Sequence, residues 1–201
     1  GIFGGSLYFF TENTALGITQ ASNVSFIICT APLLTTILSL LFYKSEKASK
    51  GLIYGSLLAL MGVGLIVFNG SFVLKISPIG DLLTLLAALS WAFYSLIIKK
   101  MAGRYPTVFI TRKIFFYGVL TILPAFLLHP LQPDTAVLLQ PGVLFNLLFL
   151  AVLASLICYV LWNVVLKQLG TVRASNYIYL NPLVTMIASS LILDEKITLV
   201  A

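Results

Sequence analysis

The sequence predicts an all-α, polytopic helical membrane protein. Three observations predict it: composition, the placement of the cations, and an internal repeat. Of 201 residues, 60% are hydrophobic and only 9% are charged, 12 Lys and Arg against 6 Asp and Glu. A soluble domain carries about 45–50% apolar and about 25% charged residues. This chain has too few charges to clothe a globule in polar surface. That excludes a soluble enzyme, a nucleic-acid binder and a disordered tail. A spanning helix needs about 20 apolar residues, so the length holds about seven crossings with short loops. Lipid offers unpaired backbone groups no water, so these runs take the form of helices.

Seven apolar segments follow in order. Segment A covers 1–18 and ends at the Thr19-Gln20 link. B covers 21–43 and holds Pro32, which frees a backbone carbonyl inside the helix. C covers 51–69 and opens on Gly51-x-x-x-Gly55-x-x-x-Ala59, the small-residue spacing that lets helices approach closely. It is expected to serve packing within the molecule, or a homodimer. D covers 81–98, with Asp81 after Gly80 as the expected helix N-cap. E covers 107–128 and carries Arg112 and Lys113 near its start, where their stems can snorkel to the headgroups. F covers 142–166, and Ser155, Tyr159 and Trp162 share a face at i, i+4, i+7 spacing. G covers 174–193 and holds Pro182; an eighth segment begins at Ile197. Cys29 and Cys158 sit inside apolar runs as small hydrophobes rather than as a disulfide or metal pair.

The cations divide cleanly. Lys44, Lys47 and Lys50 lie between B and C, and Lys99, Lys100, Arg104, Arg112 and Lys113 between D and E or at the start of E. Lys167 and Arg173 lie between F and G. The intervening loops hold only Lys75 and Lys196. Ten of the twelve therefore fall on one side, which the positive-inside rule makes cytoplasmic. The net charge of +6 thus reports orientation rather than nucleic acid.

The repeat is the most informative feature. Residues 32–41 match 182–191 at six of ten positions, and Glu46-Lys47 is echoed by Glu195-Lys196. Asn13 and Leu16 recur as Asn163 and Leu166, and Ala21-Ser-Asn23 as Ala174-Ser-Asn176. Helix A thus corresponds to F and B to G, so one repeat contains five crossings. Five is odd, so the second copy is inverted in the membrane. Inverted repeats mark secondary transporters, with the site near the midplane between the two units. Residues 1–70 are expected to be the remainder of the first five-helix unit, and 71–201 the second. The complete arrangement is ten helices, of which about seven are complete here.

These stretches resemble the EamA-like family of the drug/metabolite transporter superfamily. The residues that carry the resemblance are Asn13-Thr-Ala-Leu16, Ala21-Ser-Asn, Ala31-Pro32-Leu, and Gly55 with Gly62-Val-Gly64. They continue with Gly80-Asp-Leu-Leu83, Ala88-Leu-Ser-Trp-Ala-Phe-Tyr94, Tyr179-Leu-Asn-Pro182 and Leu193-Asp-Glu195. The resemblance aligns A through G with the family's third to ninth helices. It implies ten-helix transporters with a central cavity between two five-helix halves and both termini cytoplasmic. Two departures stand out: the first two helices and most of the tenth have no counterpart, and the family's Gly-Glu is here Asp194-Glu195.

Glu12 is the first candidate for chemistry. A charged side chain at mid-bilayer costs roughly 2.5–3.5 kcal/mol on insertion scales, so it usually faces a cavity or a partner. It reads either as a substrate or proton site, or as a carboxyl hydrogen-bonded to Asn13 or Thr11. The repeat pairs Glu12 with Trp162. With Asn13, Tyr159 and Asn163 beside them, Trp91 and Tyr94 from D, and Tyr177 and Asn181 from G, these nine residues are the candidate substrate contacts. A carboxylate among aromatic faces suits a cationic or amino-acid-like substrate through cation–π contact.

Enzyme signatures are lacking in the sequence. His129 is the one histidine, and no Gly-x-Ser-x-Gly, Cys-x-x-Cys or His-Glu-x-x-His occurs. The expected function is a secondary exporter of small metabolites such as amino acids or amines, working by alternating access in a bacterial plasma membrane. Its expected partners are a small-molecule substrate, the lipid bilayer, a coupling proton and a second copy in a homodimer, with no cofactor, metal or nucleic acid. The alternative is a binding or structural membrane component on the same scaffold.

Overall fold

The computed structural model describes residues 1–19, 21–43, 50–68, 77–128, 135–184 and 187. Among them there is no strand, and every apolar segment is helical. The helices are α1 (Ser6–Ile18), α2 (Ala21–Ile28), α3 (Ala31–Phe42), α4 (Lys50–Phe68), α5 (Pro78–Ala102), α6 (Thr107–Leu128), α7 (Thr135–Leu138), α8 (Pro141–Leu148), α9 (Cys158–Leu169) and α10 (Thr171–Asn176). Lys44, Glu46, Lys47, Lys75, His129, Asp194, Glu195, Lys196, the expected boundary between 70 and 71, and the end of segment G lie outside the described residues.

Among the described residues, four stretches are long and apolar enough to cross a bilayer: Asn23–Phe42, Pro78–Ala102, Thr107–Pro124 and Pro141–Leu169. Segment A is shorter than its apolar run. Residues 2–5 form a turn, and α1 has 13 residues. Three of the first five residues are glycine, the weakest helix former after proline.

Segment B is one span in two pieces. The helix breaks at Cys29 and Thr30, and Pro32 stands in the first turn of α3, where a missing N–H costs nothing. Segment G behaves alike. α10 tightens into a 3-10 turn at Tyr177–Leu180 before helix resumes at 181–184, which contains Pro182. Segment F is continuous from Pro141 to Leu169, but its middle, Phe149–Ile157, is wound as a π-helix. That widening takes Ser155 out of the 3.6-residue register. The buried face of α9 is Tyr159, Asn163 and Leu166, with Trp162 on its flank, rather than the face that begins at Ser155.

Helix α5 is the hub, packing against α1, α2, α3, α6, α9 and α10. Its buried residues include Gly80, Thr84, Ala87, Ala88, Ser90, Ala92 and Ser95. Small residues let neighbouring backbones come close, and close packing replaces the hydrophobic drive that lipid does not supply. Two hydroxyls buried here bond back along the helix: Thr84 donates to the Gly80 carbonyl at 2.7 Å and Ser95 to that of Trp91 at 3.0 Å. The start of α5 corrects one expectation. Ser77 holds the N-cap position, and Asp81 lies in the first turn, where its carboxylate accepts the Ser77 N–H at 3.2 Å.

The direction of each helix follows from its contacts. Phe3 accepts a hydrogen bond from Ser90 midway along α5, while Ile18 accepts one from Ser77 at its start, so α1 runs antiparallel to α5. Tyr43, just past α3, donates to the Leu96 carbonyl at 3.0 Å and lies under the Lys99 ammonium, so α3 runs parallel to α5. Lys99, Lys100 and Arg104 therefore share one end of the bundle with the end of α3. On α4, a Cβ added at Gly55 meets nothing within 4 Å, whereas one at Gly64 sits 3.2 Å from the Phe26 ring.

Candidate functional site: an aromatic cluster with one carboxyl

Four helices converge around Trp91. Helix α1 brings Tyr8, Phe9 and Glu12; α5 brings Trp91 and Tyr94; α6 brings Thr111 and Phe115; α9 brings Tyr159, Trp162 and Asn163. The Trp91 ring lies 5.1 Å from those of Tyr8 and Tyr94, 5.9 Å from Tyr159 and 5.8 Å from Trp162. Phe9 and Phe115 close the far side of Tyr159, at 6.5 and 5.2 Å. These separations are those of favourable tilted and edge-on aromatic pairs.

Glu12 stands at the rim of this cluster. It precedes the end of α1 by six residues, about 9 Å along the axis. Its partner is Tyr8, one turn back on the same face, whose hydroxyl donates to Glu12 Oε1 at 2.9 Å. Neither residue expected to hold it does so. Thr11 donates to the Leu7 carbonyl at 2.8 Å, and Asn13 is exposed. Tyr8 is the residue that sequence reasoning missed, and the i, i+4 spacing to Glu12 was the signal.

A buried polar chain ties the cluster together at the other end. The Tyr94 hydroxyl donates to Asn163 Oδ1 at 2.8 Å, and Asn163 Nδ2 donates to the Thr111 hydroxyl at 2.9 Å. Thr111 in turn donates to the Thr107 carbonyl at 3.0 Å. Asn163 is almost wholly buried, and a satisfied network at that depth holds its helices in a defined register. The Tyr159 hydroxyl donates to the Gly4 carbonyl at 2.7 Å, joining α9 to the turn before α1. Gly4 is required there, because a Cβ would land on the Tyr94 ring.

Six of the nine expected contacts therefore come together: Glu12, Trp91, Tyr94, Tyr159, Trp162 and Asn163. Asn13, on the outer face of α1, is exposed and outside the cluster, as are Tyr177 and Asn181, where the 3-10 turn at Tyr177–Leu180 buries Ile178 instead. Chemically, the cluster offers one carboxyl, seven aromatic rings and a few hydrogen-bonding groups in a low-dielectric setting. That arrangement can bind and orient a polar or cationic group; among the described residues of the cluster there is no nucleophile–base pair.

A bundle of apolar helices with polar and aromatic groups gathered inside it defines a helical membrane protein. The chain belongs to the EamA-like transporter family, which matches residues 1–68 and 78–201. It is similar to an uncharacterised transporter of Archaeoglobus fulgidus, with 30% identity over 96% of this chain and 66% of that protein. It is also similar to the uncharacterised transporter YyaM of Bacillus subtilis, with 29% identity over 94% of this chain and 61% of that one. A third relative is named "Probable amino-acid metabolite efflux pump", from Escherichia coli, with 23% identity over 92% of this chain and 64% of that protein. The chain spans about two thirds of the length of these relatives. A solved crystal structure of a protein shares the fold, with a TM-score of 0.79 and 20% identity over all of this chain and 67% of the other. The protein is a membrane transporter-family member and not an enzyme.

Proposed function

We propose that this chain works in a secondary transporter that exports small metabolites, amino acids or amines, by alternating access. The single observation that carries the reading is the Glu12–Tyr8 pair set against the Trp91 ring in the membrane interior. A lone carboxyl there attracts a cationic group, and the ring faces strengthen that attraction once water is excluded. The export direction and the metabolite class draw support from the amino-acid metabolite efflux pump named among the relatives.

Two five-helix units, inverted in the membrane, supply the moving parts of this proposal. Support comes from the two family matches on either side of residues 69–77 and from the interruptions just before Pro32 and Pro182. The matched positions Glu12 and Trp162 also border the same rings: Tyr8 bonds Glu12 and packs at a tilt on Trp91, which packs at a tilt on Trp162. A proton exchanged at Glu12 would couple the cycle to the membrane gradient. The cation-rich end faces the cytoplasm of a bacterium, and the membrane is its plasma membrane.

The test is flux through liposomes carrying the full-length protein, screened over amino acids and amines. Substrate-dependent proton movement that an uncoupler collapses, and that Glu12→Gln abolishes, supports the reading. Binding without flux would replace it by a non-transporting component. Wild-type rate and pH dependence in Glu12→Gln would remove the carboxyl from the mechanism.

A further inference from the structure

Helix α6 carries its charge on a face that the bundle does not cover. Ile110, Thr111 and Ile114 point inward and are buried. Phe109, Arg112, Lys113, Phe116 and Tyr117 follow at i, i+3, i+4, i+7 and i+8, so they form a separate stripe on the same helix. Arg112, Phe116 and Tyr117 are exposed, and Phe109 and Lys113 are half-buried. Tyr105 stacks on Phe109 at 5.6 Å and carries the stripe past the helix start.

Both cations lie among rings. The Arg112 guanidinium is 5.5 Å from the centre of the Phe109 ring. The Lys113 ammonium is 5.8 Å from the centres of three rings, Phe109 one turn before it and Phe116 and Tyr117 one turn after. An ammonium so placed stays level with its own turn instead of reaching for Thr107 at the helix start, about 9 Å away along the axis. Ring faces attract the charge but take up N–H donors only weakly. No carboxylate is at hand for those donors. Among the described residues the only carboxylates are Glu12 and Asp81. Asp81 is in the first turn of α5, and Glu12 is near the end of α1 that lies beside that turn, so both belong toward the opposite end of the bundle. Lys100 and Arg104 add two exposed cations at the near end.

Beyond the rings the same helix exposes Val119, Leu120 and Leu123. The patch is therefore amphiphilic, with a positive seat at the membrane boundary and an apolar track leading inward from it. We infer that this face of α6 binds an anionic phospholipid. The lipid's phosphodiester accepts from the Arg112 fork and the Lys113 ammonium, as charge-assisted hydrogen bonds favour. One acyl chain lies along Phe116, Tyr117 and Leu120. A zwitterionic lipid brings a second ammonium to a seat already crowded with cations, so the site selects net negative charge. A soluble anion would leave the apolar track uncovered. The inference needs the chain to span a membrane and is independent of what the protein transports.

Native mass spectrometry of the full-length protein in detergent, titrated with phosphatidylglycerol or phosphatidylcholine, tests it. Wild type is expected to bind its first phosphatidylglycerol about tenfold more tightly than its first phosphatidylcholine, the value of a hydrogen bond to a charged group. Arg112→Gln/Lys113→Gln is expected to abolish that preference. Lys167→Gln/Arg173→Gln removes the same charge from α9 and α10 and is expected to leave most of it. Equal losses in the two double variants would show attraction to net charge alone and overturn the site. Absence of the preference in wild type would overturn it as well. Inorganic phosphate bound as tightly as the lipid would assign the seat to a soluble anion and overturn the lipid. Should the first variant fail to fold, phosphatidylglycerol with a photoreactive headgroup is applied to wild type in phosphatidylcholine vesicles. Labelling concentrated on residues 105–117 supports the site, and labelling spread evenly over the cation-rich end overturns it.

Discussion

Tyr8 spends its hydroxyl on Glu12 and its ring on Trp91, so one side chain links the carboxyl to the aromatic cluster. Removing the hydroxyl in Tyr8→Phe leaves Glu12 without that donor. Transport by Tyr8→Phe is expected to fall at least tenfold, with little further loss in the Tyr8→Phe/Glu12→Gln double variant, as coupled residues show in a mutant cycle. Purely independent losses in that cycle would separate the two groups. Asn163 makes a structural prediction. Asn163→Ala strands the Tyr94 hydroxyl and removes a partner of Thr111, and is expected to cost about 1–3 kcal/mol. Thermal unfolding in detergent measures it. Gly4→Ala is expected to cost a similar amount, about 1–3 kcal/mol, because its methyl must displace the Tyr94 ring. Glu12 and the tryptophans were legible as isolated oddities in an apolar sequence. The bonds between distant residues were not, because a hydrogen bond such as Tyr94 to Asn163 spans 69 positions of chain.

Helix boundaries show where local chemistry decided the outcome. Pro32 and Pro182 were legible as disruptions, but not as helix starts, since that depends on the turn that precedes each one. The π-wound Phe149–Ile157 had no signal at all: its residues are good helix formers, and only the wider winding moved Ser155 off the buried face. Gly170 is the sharpest junction. It alone separates α9 from α10, and its φ of +79° with extended ψ is a conformation open essentially to glycine. Gly170→Ala is expected to destabilise by about 1–3 kcal/mol, read as a lower melting temperature, even though a Cβ there meets nothing within 4 Å. An unchanged melting temperature would show that the junction relaxes freely.

At the scale of the whole molecule, α5 organises the fold by offering small side chains to six neighbours. Ser77 and Ile18 mark one end of the bundle; Tyr43, Lys99 and Arg104 mark the other. In a variant with Cys29 and Cys158 replaced, a cysteine at Gly103 is expected to react with a membrane-impermeant thiol reagent only from the cytoplasmic side. A cysteine at Ile79, which is exposed, is expected to react only from outside. The reverse pattern would invert the proposed topology.

The sequence by itself determined the class of molecule, its orientation signals and its family. Those rest on apolar content, cation placement and ordered motifs, which are properties of the chain read along its length. Tertiary structure alone decided which polar groups meet. It carried Asn163 inward to Tyr94 and Thr111, and left Asn13, Tyr177 and Asn181 outside. The physical reason is that a helix face is set by winding and by its neighbours. One residue of turn, π-widening or 3-10 tightening rotates every later side chain, and composition carries no trace of that rotation.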